Sequence, residues 1–167
     1  MHCLGLHISY KNVPTLDPEF IPLHLFNTEF LKHADRAVGI AVERNDRLVA
    51  TCRTAIHSAD RMQEANYYYI SRLIKTMLWI KGGFRVHISG DSEIYQFIKQ
   101  QYASSGLREF DSSFMARVYE RPFEVVFVSE LPQANETSYA IGRHLNGCRI
   151  GFDAGGSDRK VSAVRNG

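Results

Sequence analysis

The chain has 167 residues, of which 44% are hydrophobic and 23% are charged, and its formal net charge is +2. This composition excludes wholesale disorder. The lack of a Lys/Arg run argues against nucleic-acid binding. No apolar run reaches the roughly 20 residues of a membrane span. The three cysteines are far apart and form no CxxC pair, which predicts neither a disulfide framework nor a zinc site and favours a cytoplasmic protein.

The first 32 residues show little periodicity, because Pro14, Pro18 and Pro22 interrupt any long element. Several aromatic residues in this stretch indicate that it packs onto a neighbouring core. We predict an irregular N-terminal arm with a short helix at residues 27–33.

A β-hairpin is predicted next, from apolar, β-forming runs at residues 38–43 and 47–54. Asn45 and Asp46 lie between the two runs, and both residue types tolerate the positive φ that a tight hairpin turn needs.

The clearest helix follows the hairpin. Asp60 is placed to cap its start, with Gln63 three residues later in capping-box spacing. Gly82 is placed to end it. Its apolar face is predicted from residues at helical spacing, namely Ile70, Leu73, Ile74, Met77 and Leu78.

A strand, one or two helices and a final strand complete this part of the chain. Residues 84–88 alternate as in a strand, and a helix follows whose apolar face comprises Ile94, Phe97, Ile98 and Tyr102. A short third helix is predicted at residues 110–118. Residues 123–128 form an apolar run typical of a strand that is buried on both faces.

The predicted fold class is α/β. Residues 1–130 are expected to form a small mixed-sheet domain (hairpin, helix, strand, helix, strand) that carries the irregular arm. Residues 131–147 contain Pro, Asn and Gly without aliphatic periodicity and are predicted to be a linker. Residues 148–167 then begin a second domain.

The residues that carry chemistry follow this linker. A strand ends at Asp153, Gly155 and Gly156 make a tight turn with Ser157, and a second strand begins near Lys160. Glycines let backbone N–H groups approach phosphate oxygens, a serine adds a hydroxyl donor, and a lysine adds positive charge. Asp153 is placed to hold Mg²⁺ directly or through water.

A Walker-type loop is excluded, because that motif runs from a strand into a helix, whereas alternation over residues 161–164 predicts a strand. The pattern Asp-x-Gly-Gly-Ser-x-x-Lys between two strands instead resembles the first phosphate motif of the actin-like ATPases and sugar kinases. It is most similar to that of the ROK (repressor, open reading frame, kinase) family. Ser157 stands where that family more often has Thr, and Lys160 is closer to the actin pattern.

The resemblance implies that residues 148–167 begin an actin-like ATPase domain, with the preceding α/β domain as an accessory region. It implies ATP and Mg²⁺ as cofactors and a sugar as substrate, and it leaves a homodimer open. Its implied site residues are Asp153 for the metal, with Gly155, Gly156, Ser157 and Lys160 for the phosphates.

The last residues, Val164-Arg165-Asn166-Gly167, place Asn-Gly after a strand, which is a strong hairpin signal. A ROK-like kinase also needs a second phosphate motif, an adenosine-binding region and a catalytic Asp, and no length remains for them. We therefore expect an N-terminal fragment with no catalytic residue of its own, inactive alone.

Two alternatives stay open. The first is a non-catalytic ligand-binding or oligomerisation module attached to a degenerate ATPase fold. The second is part of a sugar-responsive transcriptional regulator. That class predicts a helix-turn-helix with a basic recognition helix, which the element order does not indicate.

Three weaker patterns have ordinary structural explanations. His2, Cys3 and His7 are close in sequence but do not match zinc-ligand spacing. Residues 89–92 join a strand to a helix N-terminus, which can bind an anion but more simply holds an N-cap at Asp91 or Ser92. The aromatic residues at 67–69, with a tryptophan at 79, cannot all face one core, so at least one is expected at the surface or in an interface.

Overall fold

A computed structural model describes residues 2–9, 11–137 and 146–166 of the chain. Its contacts divide the chain into two compact units, Met1–Glu136 and Thr137–Gly167. The predicted α/β class is confirmed, because the chain combines helices with several small sheets. Within the described residues, no helix is both long enough and apolar enough to cross a membrane.

The first unit alternates strands and helices along most of its length. Its described elements are β1 (His2–Cys3), β2 (Leu6–His7), α1 (Leu23–Leu31), β3 (Arg36–Glu43), β4 (Val49–Ile56), α2 (Gln63–Lys81), β5 (Arg85–Ser89), α3 (Ser92–Gln101), α4 (Glu109–Tyr119) and β6 (Glu124–Phe127). Short 3-10 turns at Asn45–Arg47 and Asp60–Met62 precede β4 and α2.

The main sheet of this unit has four strands in the order β4-β3-β5-β6. β3 is antiparallel to both β4 and β5, whereas β5 and β6 are parallel. Parallel neighbours need a crossover connection, and here it runs through α3 and α4. The sheet is therefore mixed, as predicted.

The core lies between this sheet and the helices. Val38, Ile40 and Val42 alternate along β3 and are all buried. The predicted apolar faces of α2 and α3 meet them, through Ile70, Ile74, Leu78, Ile94 and Ile98, each at most 1% exposed. Complete burial of such side chains contributes roughly 1.5–3 kcal/mol each before cavity and strain effects, so these helix faces anchor the unit.

Two predicted helix starts are wrong. The first helix spans Leu23–Leu31 rather than residues 27–33, because Pro22 occupies the N-cap instead of breaking the element. The predicted capping box at Asp60 and Gln63 is absent. Asp60 begins a 3-10 turn, and the N-cap of α2 is Met62, which makes no side-chain capping bond. The predicted end of α2 at Gly82 is confirmed by its φ of 76°.

The turn between β3 and β4 lies one residue later than expected. Positive φ values occur at Asp46 (60°) and Arg47 (57°), whereas Asn45 does not have a positive φ. The Leu48 N–H donates to the Asn45 carbonyl oxygen at 3.3 Å and closes the turn. Arginine at positive φ is uncommon, because its Cβ crowds the backbone there.

The final strand of the sheet is not buried on both faces. β6 is an edge strand, and Phe127 is 47% exposed at its end. The chain then returns over the sheet. Leu131 lies close enough to Gly39 that a Cβ there would meet its Cδ1 at 2.8 Å, and Asn135 exchanges two backbone hydrogen bonds of 2.9 Å with Val49.

The second unit is described over residues 146–166, while residues 138–145 of the predicted linker, and Gly167, lie outside the described residues. It consists of two antiparallel strands, β7 (Arg149–Ala154) and β8 (Arg159–Val164). At the open end of the hairpin the Asn166 N–H donates to the Gly147 carbonyl oxygen at 3.2 Å. Both residues have positive φ, of 60° and 80°.

Candidate functional site

The candidate phosphate site lies at the turn of the β7–β8 hairpin. The register places Asp153 opposite Lys160, and Ala154 opposite Arg159, directly before and after the turn. Residues paired across an antiparallel ladder lie on the same face of the sheet. The structure therefore brings the predicted metal residue and the predicted phosphate lysine to one face of one hairpin.

The two faces of this hairpin differ in character. The face of Asp153 and Lys160 is largely polar. The opposite face carries Ile150, Phe152 and Val161, which are 81%, 64% and 66% exposed. The hairpin is thus amphipathic, and its polar face carries the candidate chemistry.

The two glycines of the turn have different local environments. A Cβ at Gly155 would lie 2.6 Å from the Asp158 carboxylate Oδ1 and 2.8 Å from the Asp158 carbonyl oxygen, so the turn itself requires glycine there. A Cβ at Gly156 would meet nothing within 4 Å. Local packing does not explain Gly156, whose open backbone can instead approach an incoming oxygen atom.

Lys160 has a partner that the sequence pattern did not reveal. Its Nζ lies 3.0 Å from Oδ2 of Asp158, and both side chains are more than half exposed. An exposed ion pair of this kind is worth at most about 1 kcal/mol. A phosphate group could therefore displace Asp158 from Lys160 at little cost, and Asp158 belongs to the candidate site although the sequence pattern did not indicate it.

The remaining two predicted site residues are exposed and unpaired among the described residues. The Asp153 carboxylate forms no ion pair there, and the Ser157 hydroxyl forms no hydrogen bond. No group of three His, Cys, Asp or Glu side chains in the described ranges can hold a metal ion. One carboxylate still fits Mg²⁺, because this ion commonly uses one or two carboxylates and completes its shell with water and substrate phosphate.

The weaker patterns of the sequence have structural roles. Asp91 caps α3, as its Oδ1 accepts the Ile94 N–H at 2.8 Å, and its Oδ2 lies 3.0 Å from Nη2 of Arg36. The helix N-terminus that could bind an anion is therefore occupied by a protein carboxylate. His2 and His7 are paired strand neighbours with ring centroids 5.0 Å apart.

The aromatic residues of α2 divide between core and surface, as predicted. Tyr69 is buried, whereas Tyr68 is 40% exposed. Trp79 is 47% exposed, stacks on Phe114 with centroids 5.3 Å apart, and donates its Nε1–H to Asp111 at 2.9 Å.

Comparison with known proteins adds no relative: no family model, curated protein or solved structure matches this chain. The candidate site is thus defined by its own residues. These are Asp153 and Lys160, which are opposite each other in the strand register, the open Gly156 backbone and the Ser157 hydroxyl.

Proposed function

We propose that β7–β8 is the first phosphate-binding hairpin of a ROK-like, ATP-dependent sugar kinase, with the first unit as its accessory domain. The observation that carries the proposal is the register that sets Asp153 opposite Lys160, next to the Gly155-Gly156-Ser157 turn. A carboxylate that can hold a metal ion and an ammonium group that can bind a phosphate oxygen then flank one backbone turn. No catalytic residue is assigned within this chain, so its part in the reaction is binding.

Each hairpin residue has a defined part in holding the nucleotide. The Gly156 backbone and the Ser157 hydroxyl supply hydrogen-bond donors to phosphate oxygens, and Lys160 supplies positive charge. Asp153 would hold Mg²⁺, which when bound neutralises the phosphate charge that develops during phosphoryl transfer. Kinases of this type rely mainly on positioning and charge neutralisation, which is what these four residues offer.

The apolar face of the hairpin also supports the proposal. Ile150, Phe152 and Val161 are too exposed for a hairpin that works alone, since a two-stranded hairpin is only marginally stable in water. As part of a larger ATPase domain, the hairpin would have this apolar face covered by neighbouring elements.

A matched pair of substitutions tests the nucleotide site. Lys160 and Arg159 are adjacent, both cationic and both exposed, but lie on opposite faces of β8. We expect Lys160→Gln to weaken binding of Mg-ATP about tenfold, as a lost charge-assisted hydrogen bond does. Arg159→Gln should change it by less than about twofold. Isothermal titration calorimetry on the chain measures both.

Equal losses of Mg-ATP affinity in the two variants would show that binding depends on net charge rather than on the polar face. That result would contradict the proposed site. The kinase class needs a separate assay, namely ATP-dependent phosphorylation across a panel of sugars by protein that includes any further domains. Asp153→Ala should abolish that activity. Nucleotide binding without turnover of any sugar would instead favour the non-catalytic module.

A further inference from the structure

Four arginines line one cavity in the first unit, far in sequence from the β7–β8 hairpin. We call it the arginine cavity and define it by Arg44, Arg47, Arg85 and Arg121. Its volume is about 380 Å³, within the usual range for small-molecule sites. It forms where β3 turns into β4, beside the starts of β5 and β6.

One of the four arginines is neutralised by protein carboxylates. Nε of Arg85 lies 2.7 Å from Glu124, and its Nη1 lies 3.3 Å from Glu43. The Glu124 hydrogen bond is the main reason why the pKa of Arg85 is raised. Glu43 also contacts Nε2 of His87 at 2.9 Å. Arg85 and Glu43 are therefore both paired with protein groups and leave little charge for a ligand.

Arg44 is only partly neutralised. Its Nη1 donates to the Lys81 carbonyl oxygen at 3.1 Å, and its Nη2 lies 3.7 Å from Glu136. Glu136 is shared with the Lys81 ammonium, which is closer at 2.8 Å. Nε of Arg44 is buried and has no hydrogen-bond partner among the described residues.

Arg121 has no carboxylate partner among the described residues, but it is held firmly in place. Its Nε donates to Oδ1 of Asn45 at 3.1 Å, and its guanidinium lies 5.4 Å from the centre of the Phe84 ring. Nδ2 of Asn45 lies 3.4 Å from the Tyr119 carbonyl oxygen. These contacts order the arginine and leave its two terminal NH₂ groups for a ligand, which lowers the entropic cost of binding.

Arg47 is unpaired and conformationally strained. Its side chain forms no ion pair among the described residues, and its φ of 57° is in the left-handed region. Asn or Gly is the usual residue there. Asp46, beside it, is the only lining acid without a basic partner in the described residues, so two unpaired guanidiniums face one unpaired carboxylate.

We propose that the arginine cavity binds the phosphate group of a phosphomonoester, with Arg47 and Arg121 as its main ligands. Guanidinium groups match phosphate oxygens in pairs of parallel hydrogen bonds, and the two unpaired arginines outnumber the one unpaired carboxylate, so the cavity favours an anion. The cavity leaves room beyond the phosphate for a sugar-sized body. The proposal does not rest on the kinase function of the hairpin.

The test measures binding of three probes to the chain by calorimetry: inorganic phosphate, a hexose 6-phosphate and adenosine 5′-monophosphate. We expect Arg47→Gln and Arg121→Gln each to weaken binding at least about tenfold, as lost charge-assisted hydrogen bonds do. Arg53→Gln is the matched control, because Arg53 is exposed in mid-β4 and forms no ion pair within the described residues. It should change binding by less than about twofold.

Three further variants guard against misfolding, separate the arginine cavity from the hairpin, and test the opposing carboxylate. Arg47→Gly relieves the positive φ and should raise the unfolding midpoint while losing phosphate affinity. Lys160→Gln should leave binding at the arginine cavity unchanged. Asp46→Asn removes the opposing carboxylate and should tighten binding.

The ranking of the probes identifies the ligand. Tighter binding of the hexose phosphate indicates a sugar phosphate, tighter binding of the monophosphate indicates a nucleotide, and equal binding indicates recognition of the phosphate alone. The proposal is overturned if none of the three binds at millimolar concentration, or if Arg47→Gln, Arg121→Gln and Arg53→Gln behave alike. It is also overturned if only Lys160→Gln abolishes binding, because the hairpin is then the phosphate site.

Discussion

Asp153 and Lys160 face each other across the β7–β8 ladder, yet the Lys160 ammonium is bound at 3.0 Å by Asp158 rather than by Asp153. The carboxylate proposed to hold the metal ion is thus not paired with the ammonium group proposed to bind the phosphate. Had Asp153 held the lysine, either ligand would first have had to break that pair. Asp158 takes this role instead and leaves Asp153 available.

Asp158 should therefore restrain phosphate binding at the hairpin. Asp158→Asn frees Lys160 and removes a negative charge beside the turn, so we expect affinity for Mg-ATP to rise about twofold to fivefold. Calorimetry at two ionic strengths measures the change, which should shrink as salt screens the charges. Unchanged affinity would mean that Lys160 does not contact the phosphate.

Gly156 offers a test that separates function from folding. A Cβ at this position meets nothing within 4 Å, so Gly156→Ala should leave the free energy of unfolding within about 0.5 kcal/mol of the parent chain. Binding of Mg-ATP should weaken, because the methyl group occupies the space through which a phosphate oxygen approaches the backbone. Circular dichroism and calorimetry provide the two readouts. Intact affinity would rule out a direct backbone contact at Gly156.

The sheet and its two main helices could be predicted because the spacing of apolar residues reflects which side chains are buried. Ile70, Ile74 and Leu78 repeat at helical spacing, and the structure buries all three. Helix starts were less predictable. Met62 caps α2 without a side-chain bond, so no residue type marks that position in the sequence.

The site was predictable in part, for a related reason. Glycine, aspartate and lysine types indicate phosphate chemistry locally, so the hairpin could be found from a short pattern. The arginine cavity could not, because Arg47 and Arg121 are 74 residues apart in sequence and line the same cavity only as a result of the fold. The strained φ at Arg47 was also hidden, since arginine does not signal a positive φ.

Two buried tyrosines should respond in opposite ways to loss of their hydroxyl groups. The Tyr102 hydroxyl is buried without a hydrogen-bond partner among the described residues, and burial raises the pKa of this phenol. Tyr102→Phe should therefore stabilise the fold by about 1 kcal/mol. The Tyr69 hydroxyl lies 2.7 Å from Oγ1 of Thr54, so Tyr69→Phe should destabilise it by about 1 kcal/mol. Urea denaturation measures both, and destabilisation of similar size in each would indicate that Tyr102 has a partner.

Asp35 should make the stability of the first unit depend on pH. The Ser58 hydroxyl and the Ser58 N–H both donate to its carboxylate and hold its pKa below the ordinary value of 3.8. A lowered pKa means that the folded chain binds this proton less readily than the unfolded chain does. Its contribution to stability is therefore complete above pH 3.8 and is lost as pH falls through the lower folded pKa.

Asp35→Asn should accordingly destabilise the chain most at neutral pH. The difference in free energy of unfolding between this variant and the parent chain should shrink below pH 3.8. Urea denaturation across this range measures the difference. Asp17→Asn serves as the control, because Asp17 is exposed and its side chain forms no hydrogen bond among the described residues. A constant difference between Asp35→Asn and the parent chain would mean that the Ser58 contacts act through geometry alone. A difference that disappears on acidification would place the stabilisation on the ionised carboxylate, whose two bonds join the segment after α1 to the end of β4.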